Sequence, residues 1–357
     1  MSGRLDPAHC PPASASPAAP ACGPAGATGQ PERLARALRA LGPLVGSAGP
    51  VLLFPGDAAL LREIALRCGV AHRALALVTG AGGEAMARAA EALGKEVIRL
   101  AVPPGQAVEP EHLARFLQSP RVDAVLAVHA EPETGALLPL ESLAAVVRGR
   151  KDVLLLVDAT ESLANEPLEA DRWGLDFVVA PADRGLGGPR GLAVATASAR
   201  FLAEARECPA RGLALDPVRL FEADSAGSLA ASLDDGPLGA LDAALDRLAA
   251  EPLPARFERI RRLRAMVDTW AERGHGWRVL ARRGRRAAGL SVLMVPPGVE
   301  PGAVCERFGA RGWSVGAGLG AHARATIRLT HAGQTTEAEL GRLLESLEQV
   351  GEAGRLP

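Results

Sequence analysis

Between residues 51 and 196 the chain alternates short, continuously apolar runs with amphipathic stretches, and this alternation limits its possible folds more than any other feature. The apolar runs are VLLF (51–54), ALALV (74–78), EVIRL (96–100), AVLAV (124–128), VLLLV (153–157), DFVV (176–179) and LAVAT (192–196). Helical patterns fill the intervals at about 58–67, 84–93, 110–118 and 140–148. Successive side chains of a strand point to opposite faces, so a strand that is apolar throughout is buried on both. Such strands joined through helices predict an α/β fold with a mostly parallel sheet covered on both sides.

The flanks of this block read differently. Residues 1–31 are rich in Pro, Ala, Gly and Ser without periodicity, and are expected to form a disordered tail. A helical pattern starts at Glu32, and the pattern turns irregular around Pro209–Pro237. Two helical stretches follow, LGALDAALDRLAA and PARFERIRRLRAMVDTWAERG. The chain then reads strand (290–295), helix (AVCERFGARG), strand (325–330) and a final amphipathic helix. The expected organisation is the tail, a large domain over 33–215 and a smaller α+β domain over 250–352.

Composition excludes several classes. The 357 residues are 48% apolar with a formal charge of −1, which gives no basic surface for nucleic acid or an anionic membrane. No apolar run approaches the ~20 residues of a membrane span. The start lacks the charged and apolar blocks of a secretory signal, so a cytoplasmic location is expected. The five cysteines are scattered, without zinc or disulfide spacing. ARRGRR (281–286) reads as a solvated turn. There is no tyrosine, and of 40 basic residues only Lys95 and Lys151 are lysines.

Candidate chemistry lies at the strand ends. In a parallel sheet the carboxyl ends of the strands share one edge, where open α/β folds bind ligands. Gly56-Asp57-Ala58 follows the first strand, His129 the fourth, Asp158 the fifth and Asp183-Arg184 the sixth. A rival reading takes Gly80, Gly82 and Ala85 as a dinucleotide-binding G-x-G-x-x-A turn of an NAD(P) oxidoreductase. The next strand ends in Leu100-Ala101-Val102 without an acidic residue for the ribose, so a sterically required turn is preferred.

HAEPETG (129–135), VDATES (157–162), ADRGLGGPRGL (182–192) and RLTHAG (328–333) follow one another in an order and spacing that resembles the class V aminotransferases of the alanine–glyoxylate and serine–pyruvate type. That family reads roughly H-x-E-T-S-T-G, V-D-A-x-S-S, S-Q-K-A-L-x-x-P-P-G-L and R-I-G-H-M-G. The resemblance runs from about residue 33 to the C-terminus. It implies a fold-type-I architecture, pyridoxal phosphate as cofactor and a homodimer. Asp158 then matches the partner of the pyridine nitrogen, and Arg328 the arginine that holds the substrate carboxylate. Gly56-Asp57-Ala58 matches the phosphate-binding helix start, and Gly82 falls near a ring-stacking aromatic. His129, Thr134 and Asp183 fall among the cofactor-binding positions, and Arg184 falls on the Schiff-base lysine.

The departures concern chemistry. An imine needs an amine that can lose its proton, and a guanidinium with pKa above ~12 does not supply one. Asp57 puts a carboxylate where a phosphate dianion belongs, Pro132 and Glu133 replace hydroxyl residues, and the stacking aromatic is absent. The P-G-P-type start and the N-T-P-type segment of the family are not found. Lys95 and Lys151 precede their strands, at the opposite edge. These features favour a homologue that no longer transaminates and binds a small carboxylate or a partner such as an intact paralogue. The alternative is an enzyme that uses the cofactor without an internal imine, with His129 moving the proton. Further expectations are an Asp158–Arg184 salt bridge, an N-cap role for Asp57, a structural hydrogen bond for His129 and loop positions for His322 and His331.

Overall fold

The computed structural model describes residues 30–118, 121–209, 211–224 and 233–353. Apart from Gln30 and Pro31, the expected tail lies outside the described residues. Those two open helix α1 (Gln30–Val45).

A seven-stranded sheet forms the centre, with order β1-β7-β6-β5-β4-β2-β3. Its strands are β1 (Val51–Pro55), β2 (Arg73–Val78), β3 (Glu96–Ala101), β4 (Ala124–Val128), β5 (Leu154–Asp158), β6 (Phe177–Pro181) and β7 (Leu192–Ala197). Strands β3, β2, β4, β5 and β6 are parallel neighbours, whereas β7 runs antiparallel to both β6 and β1. The alternation of side chains divides the core. Leu53, Leu75, Val125, Leu155 and Val178 pack on one face with α1 and α5 (Leu140–Arg148). Leu52, Ala76, Leu126, Leu156 and Val179 pack on the other with α2 (Ala58–Gly69), α3 (Ala81–Ala92) and α7 (Ala199–Glu207). Burying one such Leu or Val stabilises the fold by roughly 1.5–3 kcal/mol.

Between the sheets the irregular segment contains a short helix that its periodicity did not predict, α8 (Pro217–Asp224). Helices α9 (Asp235–Ala249) and α10 (Leu253–Ala271) then lead to a second, antiparallel sheet of order β10-β11-β9-β8. Strands β9 (Leu290–Met294) and β11 (Thr326–Thr330) match the predicted ones, whereas β8 (Arg278–Val279) and β10 (Val315–Ala317) are too short for a periodic signal. Helices α10 and α12 (Glu337–Ala353) pack on this sheet through Leu263, Val267, Leu343 and Leu347. A reciprocal capping box starts α12: Thr336 Oγ1 accepts from the Glu339 amide, and the Glu339 carboxylate accepts from the Thr336 amide at 2.8 Å.

Several contacts join the two sheets. The turn after β4 is bonded to the chain entering β9, with the Leu137 amide donating to the Arg285 carbonyl and the Ala287 amide to the Gly135 carbonyl. Arg256 of α10 is buried and donates to the carbonyls of Ala164 (2.7 Å), Gly185 (3.1 Å) and Gly333 (3.2 Å). One guanidinium thereby ties the loop after β5, the loop after β6 and the loop after β11.

Glu166 lies in the same junction, buried, and accepts from the Ala288 amide. Burial pushes its carboxyl up to about 7, against the opposing pull of that amide and of Arg261 and Arg264. Between about pH 4.5 and pH 7 the folded chain holds this proton and the unfolded chain has released it, so stability falls as pH rises through that window. Glu166→Gln is expected to leave the urea midpoint unchanged below about pH 4, where both states hold the proton. At pH 8 it is expected to raise stability by about 3 kcal/mol, the equivalent of the shift.

Candidate active site at the carboxyl edge of the large sheet

The carboxyl ends of β1, β4, β5 and β6 share one edge. Asp158, the last residue of β5, stands in register with Val128 of β4 and Val179 of β6. The His129 amide donates to the Asp158 carbonyl, and the Gly56 amide donates to the Gly191 carbonyl at the head of β7.

The loop between β6 and β7 is shaped by close contacts. A Cβ at Gly185 would lie 1.8 Å from the Leu163 carbonyl oxygen, and Gly187 has φ +65°, so both positions require glycine. Ala182 is anchored to Leu192, and Gly188 turns back to Ala182. Held this way, the loop presents Arg184 at the surface. A pocket of 260 Å³ opens beside it, lined by Gly56, Asp57, Ala58, Asp183, Arg184 and Arg190, with Pro181, Gly191 and Leu192. Five of the predicted site residues therefore converge on one pocket. Asp57 caps α2, its Oδ1 accepting from the Ala59 amide at 2.8 Å, as expected for an N-cap. Asp183 faces Arg190 at 3.6 Å.

Asp158 does not pair with Arg184. Its Oδ2 lies 3.0 Å from Nε of Arg62, and its Oδ1 accepts from the Thr160 amide at 2.8 Å. Arg62 projects from α2, five residues beyond the Asp57 cap, and reaches the buried carboxylate from below the pocket. The contact is an ion pair by distance, although Arg62 Nε lacks hydrogen-bond geometry toward any described residue, and Arg184 has no ion pair among the described residues. No pattern in the sequence set Arg62 apart from the other arginines.

His129 is buried, and burial pushes its imidazole down to about 4, so it stays neutral near pH 7. Its Nδ1 has no hydrogen-bond partner among the described residues, contrary to the structural bond expected of it. A neutral, enclosed imidazole is poorly suited to exchanging protons with a ligand at the edge. Thr134 is structural: its hydroxyl donates to the Thr79 carbonyl and accepts from the Ala136 amide, both at 3.3 Å.

The glycine turn at 80–83 is filled by carboxylates. Glu131 accepts from the amides of Gly82 (2.8 Å) and Gly83 (3.2 Å), and Glu133 accepts from Ala81 (2.6 Å). A Cβ at Gly80 would lie 2.7 Å from the Glu131 side chain. The amides that a dinucleotide pyrophosphate would need are thus occupied by internal anions at a helix N-terminus. That corrects the oxidoreductase reading and supplies the steric reason for the glycines. Glu133 also accepts from His322, with Nδ1 at 2.9 Å, so His322 joins the second sheet to this edge rather than standing free in a loop. His331 is buried too, its Nε2 2.9 Å from Ser291 Oγ, and not a loop residue in the solvated sense.

Arg328 lies on β11 and is not among the residues that line this pocket. Its Nε donates to the Ala317 carbonyl at 2.9 Å. Burial holds its guanidinium below its ordinary range, Glu161 opposes that shift, and the like charge of Arg184 adds to it. Lys95 and Lys151 lie at the opposite edge, before β3 and β5, with Lys95 Nζ on the Ala71 carbonyl.

The sequence profile of the class-V aminotransferases matches residues 68–232. An uncharacterized aminotransferase of Methanocaldococcus jannaschii is 35% identical over 127 residues, 35% of this chain and 33% of the relative. The 2-aminoethylphosphonate–pyruvate transaminase of Aeromonas hydrophila is 31% identical over 182 residues, 50% of this chain and 47% of the relative. The matched stretches thus span half or less of these curated relatives' length. Over the whole fold, the subgroup IV aspartate aminotransferase of Thermus thermophilus superposes with a TM-score of 0.80 at 26% identity, covering 91% of each chain. An alanine–glyoxylate aminotransferase of Nostoc sp. gives 0.79 at 24% identity, covering 90% of this chain and 86% of the other.

Pyridoxal phosphate, the cofactor of this family, does not fit the residues found here. The guanidinium of Arg62 occupies the carboxylate of Asp158, and the Asp57 carboxylate occupies the start of α2. Glu131 and Pro132 pack over Gly82, and Glu133 holds the Ala81 amide beside it. No lysine reaches this edge among the described residues.

The assignment of Arg62 as the partner of Asp158 predicts unequal stabilities. Arg62→Ala leaves a buried carboxylate unpaired and is expected to cost about 2–4 kcal/mol in urea denaturation. Arg184→Ala removes an exposed side chain and is expected to change stability by less than about 0.5 kcal/mol.

Proposed function

We propose that this chain, whose residues 68–232 match the class-V aminotransferase profile, keeps that family's scaffold without its imine chemistry and binds a small carboxylate at the strand edge. The observation that carries the reading is the charge arrangement around Arg184. At the position that the resemblance gives to the Schiff-base lysine stands an exposed cation on the pocket lining, with no ion pair among the described residues, and its like charge works against that of the half-buried Arg328. An anionic ligand between them relieves that repulsion, and a guanidinium suits a carboxylate because its donors match both oxygens.

Within this reading Arg328 is the main contact, restrained by its bond to Ala317, and Arg184 contributes charge from the loop that lines the pocket. Asp57 and Asp183 line the same pocket and disfavour a phosphate or other dianion there, which favours a monocarboxylate. Arg256 acts at one remove: by holding the Gly185 carbonyl it fixes the loop that carries Arg184.

Isothermal titration with pyruvate, glyoxylate and alanine tests the proposal. At least one is expected to bind, with affinity at least tenfold weaker in Arg328→Ala and weakened in Arg184→Ala, and more weakly as salt screens the charges. Binding that is indifferent to both substitutions, or no binding of any of the three, contradicts it.

A further inference from the structure

The second candidate for chemistry is a pair of thiols far along the chain from each other and adjacent in the fold. Cys68 lies in the last turn of α2 and is buried at 6% exposure. Cys208 is the C-cap of α7 and half-buried. Helices α2 and α7 pack together, and Gly69 faces the ring of Phe201 so closely that a Cβ there would come within 3.0 Å of it. The Cys208 Sγ lies 3.6 Å from the carbonyl oxygen of Arg67, the residue before Cys68, which sets the two cysteines side by side where α2 and α7 end.

We propose that Cys68 and Cys208 are a redox pair that hydroperoxides close into an intrachain disulfide. The reaction starts at Cys208, the more accessible thiol. Its thiolate attacks one peroxide oxygen, the O–O bond breaks, and a sulfenic acid and hydroxide form. The hydroxide takes the Cys68 proton. The Cys68 sulfur then attacks the Cys208 sulfur, the S–S bond forms, the S–O bond breaks, and the second oxygen leaves as hydroxide, which takes up a proton. In total two thiols and one peroxide give one disulfide and two waters.

The roles are unequal for a physical reason. Burial, and then the neighbouring Cys208, push the Cys68 thiol up to about 12, so it is almost wholly protonated near pH 7. It is inert as a first nucleophile and serves only to resolve a sulfenic acid formed beside it. Closing the bond fastens the far end of α2, the helix whose other end carries Asp57 and Arg62 to the candidate site.

Peptide mapping of the full-length chain tests this directly. The protein is treated with hydrogen peroxide, alkylated without reduction and digested with trypsin. The expected product is Cys68–Arg73 joined to Glu207–Arg211, cleaved by dithiothreitol and absent from Cys208→Ser, with Cys305 alkylated throughout. The same link is expected when Cys10, Cys22 and Cys305 are all replaced by Ser. Recovery of Cys208 as free thiol, as sulfinic acid, or joined to any cysteine other than Cys68 overturns the proposal.

Discussion

A carboxylate buried at the end of a central strand must have a cation beside it, and the site of this protein is organised around how that need is met. Asp158 closes β5 with almost no exposure, and Arg62 reaches it from α2 at 3.0 Å. An unpaired carboxylate in that position would cost several kcal/mol. The cation is intramolecular, so the edge holds together without a bound group. The same arrangement occupies an oxygen of the carboxylate that the aminotransferase resemblance assigns to a pyridine nitrogen.

The rest of the edge follows a similar rule, with internal groups on the positions that ligands use in related folds. Helix α2 is capped by Asp57 and helix α3 by Glu131 and Glu133, so both N-termini are already charge-balanced. Arg184 is the exception: it stands exposed on a tightly bonded loop, with no ion pair among the described residues. That imbalance is the part of the edge still open to a ligand, and it is cationic.

Much of this was legible in the sequence. The seven apolar runs coincide with the seven strands to within a residue or two, because strands buried on both faces leave a continuous signature. The antiparallel direction of β7 also follows from spacing: the chain from Pro181 to Leu192 is too short for a crossover to a parallel neighbour. Convergence of Gly56, Asp57, Asp183 and Arg184 followed from strand ends alone. The partner of Asp158 did not, since an arginine on a helix face looks the same in sequence whether it points to water or to a carboxylate 96 residues later. The filling of the glycine turn was hidden for the same reason, because Glu131 and Glu133 reach it only once β4 lies beside β2.

Internal groups satisfy the carboxyl edge of the large sheet at the positions where the resemblance to the class-V aminotransferases implies pyridoxal phosphate. Equilibrium dialysis of the native chain against pyridoxal phosphate, followed by borohydride reduction and mass spectrometry, tests this most directly. The account predicts no stoichiometric retention and no reduced adduct. One equivalent per chain retained by the native protein and lost in Asp158→Ala, or a reduced adduct at Lys95 or Lys151, would contradict it.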